Sequence, residues 1–389
     1  MAINKPHIGI FGRMNVGKSS IFNALAGQET VIVDDTPGTT TDPIKKVMEI
    51  EGLGPIVLID TGGLDDNASK LGERRVKQSK NMLDHVDLAI LVFAGNVFTD
   101  YEQSLMASFV SKKIPFFLIH NKSDQNPLKI EVTGADILDF SAKKPETGPL
   151  FAMIKKHLEK ASSVPKGLLD GMVKKGDTVL LITPIDASAP AGRMILPQMQ
   201  TLRAALDLNA VSICVQPAEV EEVLAKKPNI ALAVTDSQVF AYVSQKIPPS
   251  IPLTSFSILL ARTKGNFKAM VKGTKTIPNL KDGNKVLILE SCTHTVNHCV
   301  DIGRTKLPNL LQKFTGKKLE FTVVAGLEAL PEDLSSYALA IQCGGCMITD
   351  KQLQNRINNA MDAGVAISNY GMAIAFCNGI FERVLRPLL

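Results

Sequence analysis

The sequence predicts an α/β fold repeated three times, opening with a doubly wound sheet and closing with a second parallel sheet. Two observations carry this. Short, continuously apolar runs alternate with helical patterns, as expected of buried parallel strands joined by crossover helices. The alternation also restarts twice, after Ser162-Ser-Val-Pro-Lys-Gly167 and again near residue 266. A chain of 389 residues is long for one core. The expected domains are therefore 1–165, 166–265 and 266–389.

In the first segment Ile8-Gly-Ile-Phe11, Ile56-Val-Leu-Ile59, Leu88-Ala-Ile-Leu-Val-Phe93 and Pro115-Phe-Phe-Leu-Ile119 read as strands, and Ser19 to Ala26 as a helix. In the second, strands fall at Thr178-Val-Leu-Leu-Ile182, Val211-Ser-Ile-Cys-Val215 and Ile230-Ala-Leu-Ala-Val234, with helices near 197–207, 217–226 and 237–246. The Pro-rich stretch Ile247-Pro-Pro-Ser-Ile-Pro252 ends the last of these. In the third, strands are expected at Lys285–Glu290, Leu319–Val324, Tyr337–Ile341 and Gly364–Ile367, and helices near 306–315, 350–363 and 371–384.

Composition narrows the class. Apolar residues make up 45% of the chain and charged residues 21%, ordinary for a water-soluble protein. No apolar run approaches the roughly 18 residues of a membrane span, and Met1-Ala-Ile-Asn-Lys-Pro lacks a signal core. A cytoplasmic protein without a membrane partner is expected. The net charge of +5 is dispersed, with no Lys/Arg block to track a phosphate backbone, so no nucleic-acid partner is expected. Six cysteines in such a chain favour metal or redox chemistry over disulfides.

Gly12-Arg-Met-Asn15-Val16-Gly17-Lys18-Ser19-Ser20 follows the first strand and opens the first helix, the context of a phosphate-binding loop. Its glycines let backbone N–H groups wrap phosphates, Lys18 supplies a cation to them, and Ser19 offers a hydroxyl to Mg²⁺. Asp60-Thr-Gly-Gly63 ends the next apolar strand, placing a second Mg²⁺ partner at Asp60 and a γ-phosphate sensor at Gly63. Asn121-Lys122-Ser-Asp124 ends the 115–119 strand. The Asp124 carboxylate can accept from both the N1–H and the 2-amino group of guanine. Ser141-Ala142-Lys143 follows at a spacing suited to closing over the base, and Pro37-Gly-Thr-Thr-Thr-Asp42 offers hydroxyls for a switch segment. Together these predict a GTP/GDP site with Mg²⁺.

The set resembles the translation-factor-related GTPases of tRNA modification and ribosome assembly. That resemblance makes Thr40 the Mg²⁺-contacting switch threonine, with Thr39 and Thr41 as alternatives. It also makes Asn15 the mark of relatives that recruit K⁺ to the phosphates. Leu64 stands where many small GTPases carry a water-orienting Gln. An aliphatic side chain cannot polarise water, so slow intrinsic hydrolysis is expected.

A second constellation lies near the other end. Cys292 follows the 285–290 strand and Cys343 the 337–341 strand. If those strands are parallel neighbours, their C-terminal ends open into one crevice, where α/β sheets place their sites. Cys343-Gly-Gly-Cys346 sets two thiols on a tight loop, and His294, His298 and Cys299 are candidates for a fourth position. Tetrahedral zinc and an iron–sulfur cluster are not separated by spacing alone, beside a bland reading of a free CxxC and a chance CxH; a redox dithiol is disfavoured because the Gly-Gly loop lies outside a thioredoxin-like βα context. Cys214 and Cys377 read as buried core thiols, and His7, His85, His120 and His157 as packing or surface residues.

Taken whole, the chain resembles the iron–iron hydrogenase maturation GTPases. The resemblance is carried by Thr183-Pro-Ile-Asp186, Gly192-Arg-Met-Ile-Leu-Pro197, Pro252-Leu-Thr-Ser-Phe-Ser257, Cys292-Thr-His294, Asp301-Ile-Gly303, Gly316-Lys-Lys-Leu319 and Cys343-Gly-Gly-Cys-Met347. It implies a GTPase domain, a dimerisation domain and a cluster-binding domain in a homodimer. It further implies a 4Fe–4S cluster on Cys292, Cys343 and Cys346 with an exchangeable fourth site. Such proteins receive a diiron precursor from radical-SAM maturases and deliver it to apo FeFe-hydrogenase. Two departures stand out. Gln342 replaces the family's usual histidine before the CxxC, and Thr-Val-Asn-His298-Cys299 follows where a second histidine is usual. The competing expectation is an RNA-modification or ribosome-assembly GTPase with a structural zinc.

Overall fold

The computed structural model describes residues 5–27, 44–51, 53–61, 82–161, 167–185, 192, 194–227, 229–291, 302–326 and 328–389. The chain divides into two compact units, residues 3–164 and 165–389.

The first unit holds a six-stranded sheet. Its strands are β1 (His7–Phe11), β2 (Ile44–Ile50), β3 (Gly54–Asp60), β4 (Leu88–Ala94), β5 (Phe116–Asn121) and β6 (Ile137–Asp139). Their order is β2-β3-β1-β4-β5-β6, with β2 antiparallel to β3 and every other pairing parallel. Successive strand residues point to opposite faces, and the apolar runs supply both. Ile8, Ile10, Leu58, Ile90, Val92, Phe117 and Ile119 pack with Ile21 and Phe22 of the helix Lys18–Ala26 and Leu150 and Ile154 of the helix Thr147–Ala161. Phe11, Ile59, Leu91, Phe93 and Leu118 form the other core, with Phe109 of the helix Asp100–Ser111. Two strands escape the sequence reading. β2 mixes apolar with charged residues without a clean alternation (Ile44-Lys-Lys-Val-Met-Glu-Ile50) at a sheet edge, and β6 is three residues long.

The second unit holds two four-stranded, wholly parallel sheets. The first comprises β7 (Thr178–Ile182), β8 (Val211–Val215), β9 (Leu232–Thr235) and β10 (Leu253–Ser255), ordered β10-β9-β7-β8. The second comprises β11 (Lys285–Leu289), β12 (Glu320–Val324), β13 (Tyr337–Gln342) and β14 (Ala366–Asn369), ordered β12-β11-β13-β14. One continuous core runs through both, from Val179 and Val234 to Leu287, Ile341 and Ile367. The helix Phe256–Lys264 lies inside it, burying Phe256, Ile258, Leu259, Leu260 and Ala261 and capped by Ser255, whose Oγ accepts from Ile258 N. β10 was also unseen in the sequence, being three residues after a Pro-rich stretch.

Cys214 corrects an expectation. It is exposed, because β8 is a sheet edge whose apolar sequence is left open by its neighbours. Cys377 is half-buried, and burial pushes its thiol up to about 12. Among the described residues, no helix is long and apolar enough to cross a membrane.

Candidate functional site

The nucleotide motifs converge at the C-terminal ends of β1, β3 and β5. Gly12 to Gly17 bridge β1 to the helix Lys18–Ala26, and Asp60 ends β3, fully buried beside them. Ser19 Oγ donates to Asp60 Oδ2 at 2.7 Å, bringing the two expected Mg²⁺ partners together. Lys18, itself buried, donates from Nζ to the Arg13 carbonyl at 2.6 Å. The Asn121 side chain straps two loops together. Its Nδ2 donates to Val16 O at 2.9 Å, and its Oδ1 accepts from Ala142 N at 3.1 Å. Gly17 is obligatory in this arrangement: its φ is +96°, and a Cβ there would lie 2.2 Å from Asn121 Nδ2. Lys122 Nζ donates to Asn15 O, and Ser141 Oγ donates to Asp124 Oδ1 at 2.7 Å. The structure thus gathers Gly12, Asn15, Val16, Gly17, Lys18, Ser19, Ser20, Asp60, Asn121, Lys122, Asp124, Ser141 and Ala142 about one site, with exposed Lys143 next in the chain. Thr39, Thr40, Thr41, Gly63 and Leu64 lie outside the described residues.

One pair of side chains here was invisible in the sequence. Arg13 Nε donates to Glu102 Oε1 at 2.6 Å, and Glu102 is 0% exposed. The other oxygen of Glu102 accepts from Thr99 N and Thr99 Oγ1, both at 2.8 Å, closing a capping box on the helix Asp100–Ser111. The phosphate-loop arginine is thereby tied to a helix on the opposite face of the sheet. Nothing in the spacing of Arg13 and Glu102, 89 residues apart, announces that.

In the second unit β11 and β13 are parallel neighbours, with Leu289 opposite Gln342. Cys343 follows β13 and is buried; its Sγ accepts from Ser291 N at 3.1 Å and from Gly345 N at 3.4 Å. Ser291 immediately precedes Cys292. Gly345 has φ +66°, and a Cβ on it would meet Leu353 Cδ1 at 2.8 Å, so the loop fits glycine alone. Gln342 is fully buried. Its Nε2 donates to Leu289 O and Ser291 Oγ, while its Oε1 has no partner among the described residues. Arg356, from the helix Asp350–Asp362, donates to the carbonyls of Glu290, Gly326 and Val324 at 2.7–3.1 Å. Burial lowers the Arg356 guanidinium from its ordinary value, and Cys343 partly opposes that shift. A sulfur ligand receiving two backbone N–H bonds, beside a buried cation, suits an anionic metal–thiolate centre. Cys346 is partly exposed on the same loop. Cys292, His294, His298 and Cys299 lie outside the described residues.

Known proteins share these features. Residues 168–265 match the model of the Hydrogen maturase F dimerization domain, and residues 268–387 that of the Hydrogen maturase F tetramerization domain, together more than half the chain. The chain belongs to the HydF family. Residues 7–122 match the 50S ribosome-binding GTPase model. The first unit of this HydF-family chain is thus a GTPase domain with GTP or GDP and Mg²⁺ as its ligands, followed by oligomerization domains.

Curated relatives of the first unit are tRNA modification GTPases named MnmE. That of Nitrosomonas eutropha is 37% identical over 113 residues, covering 29% of this chain and 25% of that protein. That of Hamiltonella defensa is 29% identical over 175 residues, covering 43% and 38%. The chain therefore spans well under half the length of these relatives. Among solved structures, Era from Aquifex aeolicus is 19% identical at a TM-score of 0.36, covering 55% of this chain and 95% of its own. The G domain of FeoB from T. maritima is 25% identical at 0.31, covering 41% and 99%.

Proposed function

We propose that this HydF-family chain is a GTP-hydrolysing scaffold and carrier. In this reading Cys292, Cys343 and Cys346 hold a 4Fe–4S cluster whose fourth position is exchangeable, filled by His294, His298, Cys299 or no protein group. Such a cluster supplies an iron open to an incoming diiron unit. The precursor would come from radical-SAM maturases and go to apo FeFe-hydrogenase, on a homodimer in the cytoplasm. The single observation that carries the reading is the N–H bond from Ser291 to Cys343 Sγ. It brings Ser291, the residue before Cys292 in the chain, against the first thiol of the CxxC at the C-terminal ends of the two central strands, which supports a shared site for thiols 51 residues apart in sequence.

On the nucleotide side Lys18 faces the β- and γ-phosphates, Ser19, Thr40 and Asp60 serve Mg²⁺, Gly63 senses the γ-phosphate, and Asp124 reads guanine. Asn121 acts mainly as a strap between the phosphate loop and the Ser141–Lys143 loop, consistent with both its hydrogen bonds. Hydrolysis is slow, given Leu64, and K⁺-activated, given Asn15. Equal rates in Na⁺ and K⁺ buffers would remove the second claim.

The deciding experiment is anaerobic reconstitution of the full chain with iron and sulfide, followed by metal analysis and electron paramagnetic resonance. About four irons per chain and a reduced-cluster signal are expected, lost in Cys343→Ser with GTP affinity retained. Stoichiometric zinc without a cluster signal would refute the proposal in favour of a structural zinc site.

A further inference from the structure

The helix Phe256–Lys264 runs beside the cysteine loop, though it belongs to the segment matched by the dimerization domain. Ser257, Leu260 and Lys264 recur at spacings of three and four, which puts them on one helix face. Ser257 Oγ donates to Asn369 Oδ1 at 3.1 Å, and Asn369 Nδ2 donates to Gln342 O at 3.2 Å. A Cβ on Gly344 would lie 3.2 Å from Leu260 Cδ1. Lys264 Nζ reaches the Gly345 carbonyl at 3.5 Å and Asp350 Oδ1 at 3.3 Å.

Lys264 is 4% exposed, and a buried ammonium is costly unless it is paired and hydrogen-bonded, as it is here by Asp350 and the Gly345 carbonyl. Its carboxylate partner is 46% exposed by side chain, so water screens that half of the pair more than the other. Across the loop stands Arg356, 6% exposed, with a buried Nε that has no partner among the described residues. A buried carboxylate nearby, Glu290, is paired with Arg304 at 3.3 Å. Among the described residues the buried charges, Lys264 and Arg356 against Glu290, leave one positive charge in excess before any thiolate is counted, while Arg304, Asp350 and Glu328, the last of which interacts with Arg356, are more exposed and screened. That excess suits a group that gains negative charge.

We propose that Lys264 is a positioning residue for the metal–thiolate group on the Cys343–Cys346 loop, holding the loop through Gly345 and favouring the group's one-electron-reduced state by its buried charge. This rests on the reading that the loop carries a 4Fe–4S cluster. Reduction adds one electron and one negative charge to the group; a fixed cation lowers the free energy of the reduced form more than that of the oxidised form.

The test uses the full chain, reconstituted anaerobically with iron and sulfide, as wild type, Lys264→Met and Lys264→Arg. Each is titrated with dithionite while the reduced signal is followed. Lys264→Met is expected to keep its iron content but lose about tenfold in the reduction equilibrium, a midpoint about 59 mV lower for a one-electron couple. Lys264→Arg keeps the charge and is expected to stay near wild type. A Lys264→Met midpoint equal to wild type overturns the inference. Should Lys264→Met fail to fold, Asp350→Asn removes the counter-charge from an exposed position and should raise the midpoint; no rise overturns the inference equally. A wild-type chain that takes up no cluster refutes the scaffold reading and this inference together, whereas a loaded wild type with unmoved variants refutes this inference alone.

Discussion

The bond between Arg13 and Glu102 makes a quantitative prediction about the GTPase domain. Replacing Glu102 with Gln keeps the shape but removes the charge from a side chain that is wholly buried and accepts three hydrogen bonds. The charge-assisted bond to Arg13 is worth about 1.5 kcal/mol, at the low end because the arginine is partly exposed. Weakening the capping box adds roughly 0.5 kcal/mol. A loss of about 2 kcal/mol in a unit of this size lowers its Tm by about 4–8 °C. The loop should loosen as well, since Arg13 O is the acceptor of Lys18 Nζ. If half the loss appears in binding, GDP affinity falls by about fivefold. Thermal unfolding and titration with a fluorescent GDP analogue measure the two effects on the same samples. A lower Tm with unchanged GDP affinity would mean that Glu102 caps its helix and nothing more. No change in either would refute the reasoning outright.

Other substitutions and conditions probe different parts of the molecule. Gly17→Ala forces a Cβ against Asn121 at a left-handed φ, and should abolish measurable GTP binding while the second unit keeps its own unfolding transition. Gly345→Ala should cost about 1–2 kcal/mol from positive φ and contact with Leu353, and lower the iron bound after reconstitution; full iron loading would contradict the loop geometry. Burial lowers the His7 imidazole from 6.5 to about 4, so the folded state disfavours its protonation. Its contribution is complete above pH 6.5 and is lost as pH falls toward 4, by about 3 kcal/mol at most. Urea midpoints at pH 7 and 4.5 should converge in His7→Gln relative to wild type. Cys377, with its thiol raised to about 12, should resist alkylation at pH 8 in the folded chain and react once unfolded.

Strands whose two faces are both covered were legible, because burial on both faces demands an unbroken apolar run, as in Leu88–Ala94. β2 was not, since the edge strand Ile44–Ile50 exposes Lys45, Val47 and Glu49 on its open side and carries Lys46 on the other, so no apolar run or clean alternation marks it. The same logic failed in reverse for Cys214, where an apolar run sits on an edge and stays exposed. The nucleotide motifs were legible because their chemistry is local to single turns. Glu102, Lys264 and Arg356 were not. A charged residue on a helix reads as a solvated face, and its burial here is created by partners 89, 81 and 66 residues away.

The side chains of Ser257, Leu260 and Lys264 also constrain how this molecule can be taken apart or recombined. A cut at residue 265 falls between two family-matched segments, yet it separates the CxxC loop from the helix that braces it. A fragment starting there would uncover Gly344, against which Leu260 now packs, and would leave Gly345 without its lysine. Grafting the C-terminal segment onto a relative's middle segment should succeed only when both come with matching residues at 257, 260, 264, 344 and 369. Homologous sequences should accordingly vary at these positions in concert, and inheritance across that boundary should be of one piece.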